Sequence, residues 1–142
     1  MNIRRLTHHD IADAQALFRD LGYDIPTDEL TVRLSDVLSR DDHAAFMARD
    51  RHGAPLGLVH LYIRSALEKP IEAYIQSLVV NAAARRQGVA SALMRTAEDW
   101  ARNQDLPSVA LHTQTHRADA LSFYTALGFE EVAQSRMLRK AL

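Results

Sequence analysis

Apolar residues along the first third of the chain recur at helical spacing. Ile11, Ala14, Leu17, Phe18 and Leu21 fall on one face of a predicted helix. Thr7 is its N-cap, Asp10 follows three residues on as a variant of the capping box, and Gly22 stands where a C-terminal cap belongs. A second helix is predicted from Thr27, just after Pro26. Asp28 and Glu29 in its first turn suit the positive end of the helix dipole, and Leu30, Leu34, Val37 and Leu38 share one face. A short strand near Asn2 to Leu6 precedes both.

From Ala44 onward the pattern changes. Ala44 to Ala48 and Leu56 to Ile63 are strand-like runs joined by Arg51-His52-Gly53-Ala54-Pro55, a hairpin turn composition. Pro70 precedes a third run, Ile71 to Val80. Leu56 to Ile63 is apolar on both faces, which predicts a central strand covered on both sides. A helix is predicted from about Gly88 to Arg102, with Val89, Ala90, Leu93, Met94, Ala97, Trp100 and Ala101 as its buried stripe. Then come a strand at Val109 to Thr113, a short helix at Ala118 to Leu127 closed by Gly128, and strand-like pieces at Phe129 to Ala133 and Arg136 to Arg139. The order β-α-α-β-β-β-α-β-α-β-β predicts one α/β domain over residues 1–142. Its sheet is expected to be mixed, mostly antiparallel and of six to seven strands, flanked by four helices.

Composition narrows the class. With 47% apolar and 25% charged residues, the chain reads as globular. A net charge of -1 argues against a nucleic-acid partner, and any polyanion must be met by local groups. Cysteine is absent, which excludes disulfides, thiolate metal sites and a cysteine nucleophile. Neither a signal-like apolar stretch near Met1 nor a bilayer-length apolar run of about 20 residues occurs, so a cytoplasmic protein with no membrane partner is expected.

The five glycines form neither the dinucleotide-binding nor the Walker phosphate loop. Gly88, however, follows the run Leu78-Val79-Val80 and opens a helix, whose unpaired N–H groups and partial positive charge suit a phosphate. Ala90 and Ser91 keep the first turn uncrowded, and Arg85 and Arg86 add local positive charge.

Downstream, Phe123-Tyr124-x-x-Leu127-Gly128-Phe129 forms a second constellation. Together with Arg85-x-x-Gly88-x-Ala90 and the strand Ile75 to Val80, it resembles the GNAT N-acetyltransferase family over nearly the whole chain. The resemblance implies acetyl-CoA as co-substrate. It implies that backbone groups of Leu78, Val79 and Val80 pair with the pantetheine arm, one N–H acting as an oxyanion donor. The turn Arg85, Arg86, Gln87, Gly88, Val89, Ala90 and Ser91 would hold the pyrophosphate. Tyr124 would protonate the departing thiolate, since a phenol with a pKa of roughly 10 keeps its proton at neutral pH.

Many family members carry an acid near the position of Ser77, and its absence leaves the base open. Glu72, His112, His116 and ordered water are the candidates. His112 and His116 have poor spacing for a metal, so no metal is expected and they are read as lining the acceptor pocket. His60, among apolar neighbours, is read as a core histidine with a hydrogen-bond partner.

The acceptor implied is a small-molecule primary amine, attacked directly in a ternary complex with no covalent acyl-enzyme. Aminoalkylphosphonate N-acetyltransferases, with a similar Lys140-Ala141-Leu142 tail, are the nearest branch by resemblance, and aminoglycoside 6'-N-acetyltransferases the second. A phosphonate would want cations such as Arg33, Arg64 or Arg117. The rival readings are a protein N-terminal or lysine acetyltransferase and a non-catalytic acyl-CoA-binding module. The C-terminal strand pieces leave room for a homodimer.

Overall fold

A computed structural model describes residues 1–142. The elements are β1 (Asn2–Arg5), a 3-10 turn (His8–Asp10), α1 (Ile11–Asp20), α2 (Thr27–Leu38), β2 (His43–Arg49), β3 (Pro55–Arg64), β4 (Glu72–Val80), a second 3-10 turn (Ala82–Ala84), α3 (Val89–Asn103), β5 (Val109–Leu111) and α4 (Ala118–Ala126). Met1–Leu111 and His112–Leu142 form two compact units.

The first unit holds a five-stranded sheet in the order β1-β2-β3-β4-β5. Its first three pairings are antiparallel, and β4 with β5 is parallel. β3 is central, as its two-sided apolar pattern predicts. On one face Met47, Leu58 and Val79 pack with Leu17 of α1 and Leu30 and Leu34 of α2. The other face meets α3, whose buried stripe runs through Val89, Leu93, Met94, Ala97 and Trp100. Predicted and observed elements agree from β1 to α4 to within a few residues, with one refinement at the start. Thr7 caps the 3-10 turn in a full capping box with Asp10, and α1 begins only at Ile11.

The expected six to seven strands are five. Phe129 to Ala133 and Arg136 to Arg139 form no strand in the second unit, and residues 130–142 are exposed throughout. An alternating pattern creates a strand only where a neighbour takes up its backbone N–H and C=O groups. None does here: Val132 and Leu138 stand 92% and 88% exposed.

The β3–β4 contact is unusually close at Gly57, which pairs with Val80. A Cβ at this position would lie 2.5 Å from the Val79 carbonyl oxygen and 3.3 Å from Val80 Cα, both backbone atoms. Gly57→Ala is therefore expected to force β4 aside and to lower stability by about 1–3 kcal/mol, the usual cost of overpacking. Denaturant unfolding with an unchanged midpoint would refute that expectation.

Candidate active site

Two backbone features of the first unit converge on the end of β4. The first is a free edge. β4 pairs with β3 along its whole length, but with β5 only at Ala73, Tyr74 and Ile75. His60 pairs with Ser77 and Leu61 with Ile75, so Gln76 is the extra residue of a bulge. A bulge bends and twists its strand, and here it lies where the parallel partner ends. From Gln76 to Val80 one side of β4 is left without a neighbouring strand, next to half-buried Leu78 and Val80 and buried Val79.

The second feature is the turn into α3. Asn81 accepts from the Ala83 amide at 3.0 Å, and the Gln87 side chain donates to the Ala83 carbonyl at 3.2 Å, which brace the connection. Arg86 at φ 61° and Gly88 at φ 77° both adopt the left-handed region. Gly88 is the N-cap of α3, no side chain caps the helix, and its first turn holds no acid. The leading amides thus remain open to an anion with the dipole behind them. Arg85, Arg86 and Gln87 are exposed around it. An open depression of about 410 Å³ is lined by residues of this turn, Gln87 and Val89, and by Met1, Asp50, Arg51, His52 and Leu56 around the β2–β3 turn.

Below the free edge, on the α1–α2 side of the sheet, four rings form a floor. His43, Tyr62 and Tyr74 are registered partners across β2, β3 and β4. His43 stacks on His60 at 5.2 Å and on Tyr62 at 5.1 Å, and Tyr62 tilts against Tyr74 at 5.4 Å between centroids. His43 Nδ1 and His60 Nε2 are hydrogen-bonded at 2.9 Å. Burial, with the neighbouring His43 charge, pushes His60 down to about 4, so the ring is neutral at ordinary pH. Burial also raises Tyr74, with Tyr62 adding to the shift and Arg64 opposing it. Histidine and aromatic side chains two residues apart in β3 were the sequence signal for this floor, but the strand register decides what they meet.

The other proposed site residues occupy different settings. Glu72 receives Arg64 at 2.5 Å and the Ser108 hydroxyl at 3.1 Å, so much of its accepting capacity is used. Arg64 also lies 4.7 Å from the Tyr74 ring centre. In the second unit, His112 and His116 are exposed before α4. Tyr124 is half-buried on α4, edge-on to Phe123 at 5.1 Å and to Phe129 at 5.8 Å. Its burial raises the phenol pKa and outweighs the opposing pull of Arg117, so the proton is retained.

The frame of the site is thus a parallel β4–β5 pair registered over only three residues, with β4 leading into a glycine-led helix that no side chain caps. The chain belongs to the Acetyltransferase (GNAT) family, whose family model it matches over residues 5–129, a span that includes parts of both units. It is accordingly an acyl-CoA-dependent N-acetyltransferase, and acetyl-CoA is the family's co-substrate.

Among its relatives is an aminoglycoside N(6')-acetyltransferase type 1 of Klebsiella aerogenes, 38% identical over 70% of this chain and 67% of that protein. Another of the same description, from Serratia marcescens, is 30% identical over 77% of each chain. The fold matches an aminoglycoside 6'-N-acetyltransferase of Acinetobacter haemolyticus with a TM-score of 0.86 at 20% identity, covering 100% of this chain and 99% of that one. It also matches AAC(6')-Iy, solved with a CoA bisubstrate analog, with a TM-score of 0.88 at 23% identity over 99% of this chain and 98% of that one. No helix is long and apolar enough to cross a membrane.

Proposed function

We propose that this enzyme moves the acetyl group of acetyl-CoA to a primary amine of a small molecule by direct attack in a ternary complex. The observation that carries the reading is the unpaired edge of β4 at Leu78, Val79 and Val80, leading into the left-handed turn at Arg86 and Gly88. A pantetheine arm, itself amide-bearing, can pair with that edge as a strand would, and the pyrophosphate fits the open amides of the α3 N-terminus. An N–H on the same edge then meets the thioester oxygen as it gains charge. Tyr124, by its place in the family motif, returns a proton to the thiolate.

The Klebsiella and Serratia relatives favour aminoglycosides as the acceptor over aminoalkylphosphonates. An aminoglycoside brings several ammonium groups, and a chain without a strong positive charge does not repel them. CoA release should therefore rise when an aminoglycoside with a 6'-amino group is added, more than with aminophosphonates, peptides or lysine. Bound acetyl-CoA with no acceleration by any of these amines would defeat the proposal, and acceleration confined to peptides would redirect it to protein substrates.

A further inference from the structure

Ser77 stands where an acid is expected, yet the strand register brings another proton acceptor to it. His60 of β3 is the registered partner of Ser77 of β4. Paired residues of antiparallel strands carry their side chains on one face with Cβ atoms about 5 Å apart. Ser77, the residue His60 faces, directly precedes Leu78 on the strand whose far side is free. Nε2 of His60 is bonded to His43 Nδ1, which leaves Nδ1 of His60 and Nε2 of His43 as the outer nitrogens of a two-ring chain. Glu72, the other group of this face able to take a proton, is engaged by Arg64 and Ser108.

We propose that the His43–His60 pair is the proton relay that deprotonates the acceptor nitrogen during acetyl transfer. This rests on the transferase reading given above. The amine lone pair forms the C–N bond at the thioester carbonyl, and the C–S bond breaks with its electron pair leaving on sulfur. The nitrogen proton passes to His60 Nδ1, the His60 Nε2 proton passes to His43 Nδ1, and the His43 Nε2 proton passes to water. One proton enters the pair and one leaves, and both rings reset through solvent.

The low basicity of His60 suits this step. A neutral ring keeps its lone pair available at working pH. It is too weak a base for a free alkylammonium, but the cationic nitrogen formed on attack is a far stronger acid.

The electrostatic surroundings are few. His43 lies on β2, Tyr62 and Arg64 on β3, and Tyr74 and Glu72 on β4. From α1, Asp13 is held by Arg49. Burial and the charge of His43 are what depress His60.

The test is steady-state kinetics across pH for the whole chain, with acetyl-CoA and a 6'-amino aminoglycoside. His60→Gln should lower kcat at least tenfold with an unchanged KM for acetyl-CoA, and should remove the acidic limb expected of wild type toward about pH 4. His43→Gln should also lower kcat, because the ring that passes the proton to water is gone, and should move the remaining limb to higher pH, because a charge that opposes His60 protonation is gone. An unchanged kcat and limb in His60→Gln overturns the relay. Should His60→Gln fail to bind acetyl-CoA, His43→Gln and nitrogen-15 spectra of the wild-type rings decide. Coupled titration of the two rings, with His60 protonated on Nε2, supports the relay, and independent titration overturns it. Wild type that binds acetyl-CoA yet acetylates no amine defeats the transferase reading instead, and the ring spectra then judge the pair alone.

Discussion

Tyr124→Phe is expected to lower kcat by about 10²–10⁴-fold, the range lost when a positioned general acid is removed. The substitution deletes only the hydroxyl. The ring contacts with Phe123 and Phe129 stay available to phenylalanine, so α4 and its packing should persist. Burial raises the wild-type phenol, which therefore keeps its proton at neutral pH and above. Acetyl-CoA affinity, carried in this proposal by backbone amides of β4 and the α3 turn, should change little. Stopped-flow single turnovers and a binding isotherm check both halves. Normal single-turnover rates in Tyr124→Phe would remove this residue from the chemistry and leave a water to protonate the thiolate.

The largest stability effect is expected at Asp10→Ala. The Asp10 side chain is 1% exposed and accepts from Arg49 at 2.6 Å, from Arg4 at 3.2 and 3.3 Å, and from the Thr7 amide at 2.8 Å. Arg49 also binds Asp13 at 2.8 Å. Removing the carboxylate takes from mostly buried Arg49 one of its two anionic partners and leaves the Thr7 amide without its acceptor, a loss of about 3 kcal/mol. For a chain of this size that is a fall in melting temperature on the order of 10 °C.

The pH dependence has a definite sign. Burial by itself would raise the carboxyl, but the bonds from Thr7, Arg49 and Arg4 outweigh it and hold Asp10 below 3.8. A group depressed in the folded state stabilises above its unfolded value and ceases to do so as pH falls through its folded one. Wild type should thus keep this contribution at neutral pH and lose it below about pH 4, and Asp10→Ala should lack that part of the acid transition. A melting temperature within a degree or two of wild type would show that the two arginines find other partners.

Helices were legible because their signals are local. The capping box at Thr7, the stripe from Val89 to Ala101 and the glycine after α4 each lie within a few turns of the residues they organise. The strand pieces after Phe129 misled for the opposite reason. Alternation is a local property, whereas pairing depends on a partner anywhere in the chain, and here no strand receives them. Asp10 shows both sides in one residue. Its bond to Thr7 follows from three-residue spacing, but its bond to Arg49, far along the chain, follows only from the β1–β2 register and the seat of α1.

The candidate site divides in the same way. Residue identity alone placed a glycine-led, arginine-flanked helix start after a buried strand, and the motif around Tyr124 tied it to acyl-CoA. The sequence by itself therefore determined the order of elements from β1 to α4, the glycine at the start of α3 and the family. Tertiary structure decided where β5 stops along β4, which leaves Leu78 to Val80 open, and which side chain faces Ser77. It also turned His60 from a core histidine with an unnamed partner into one half of a bonded pair with His43. Both outcomes depend on strand register, and register is set by a bulge and by contacts between residues distant in sequence.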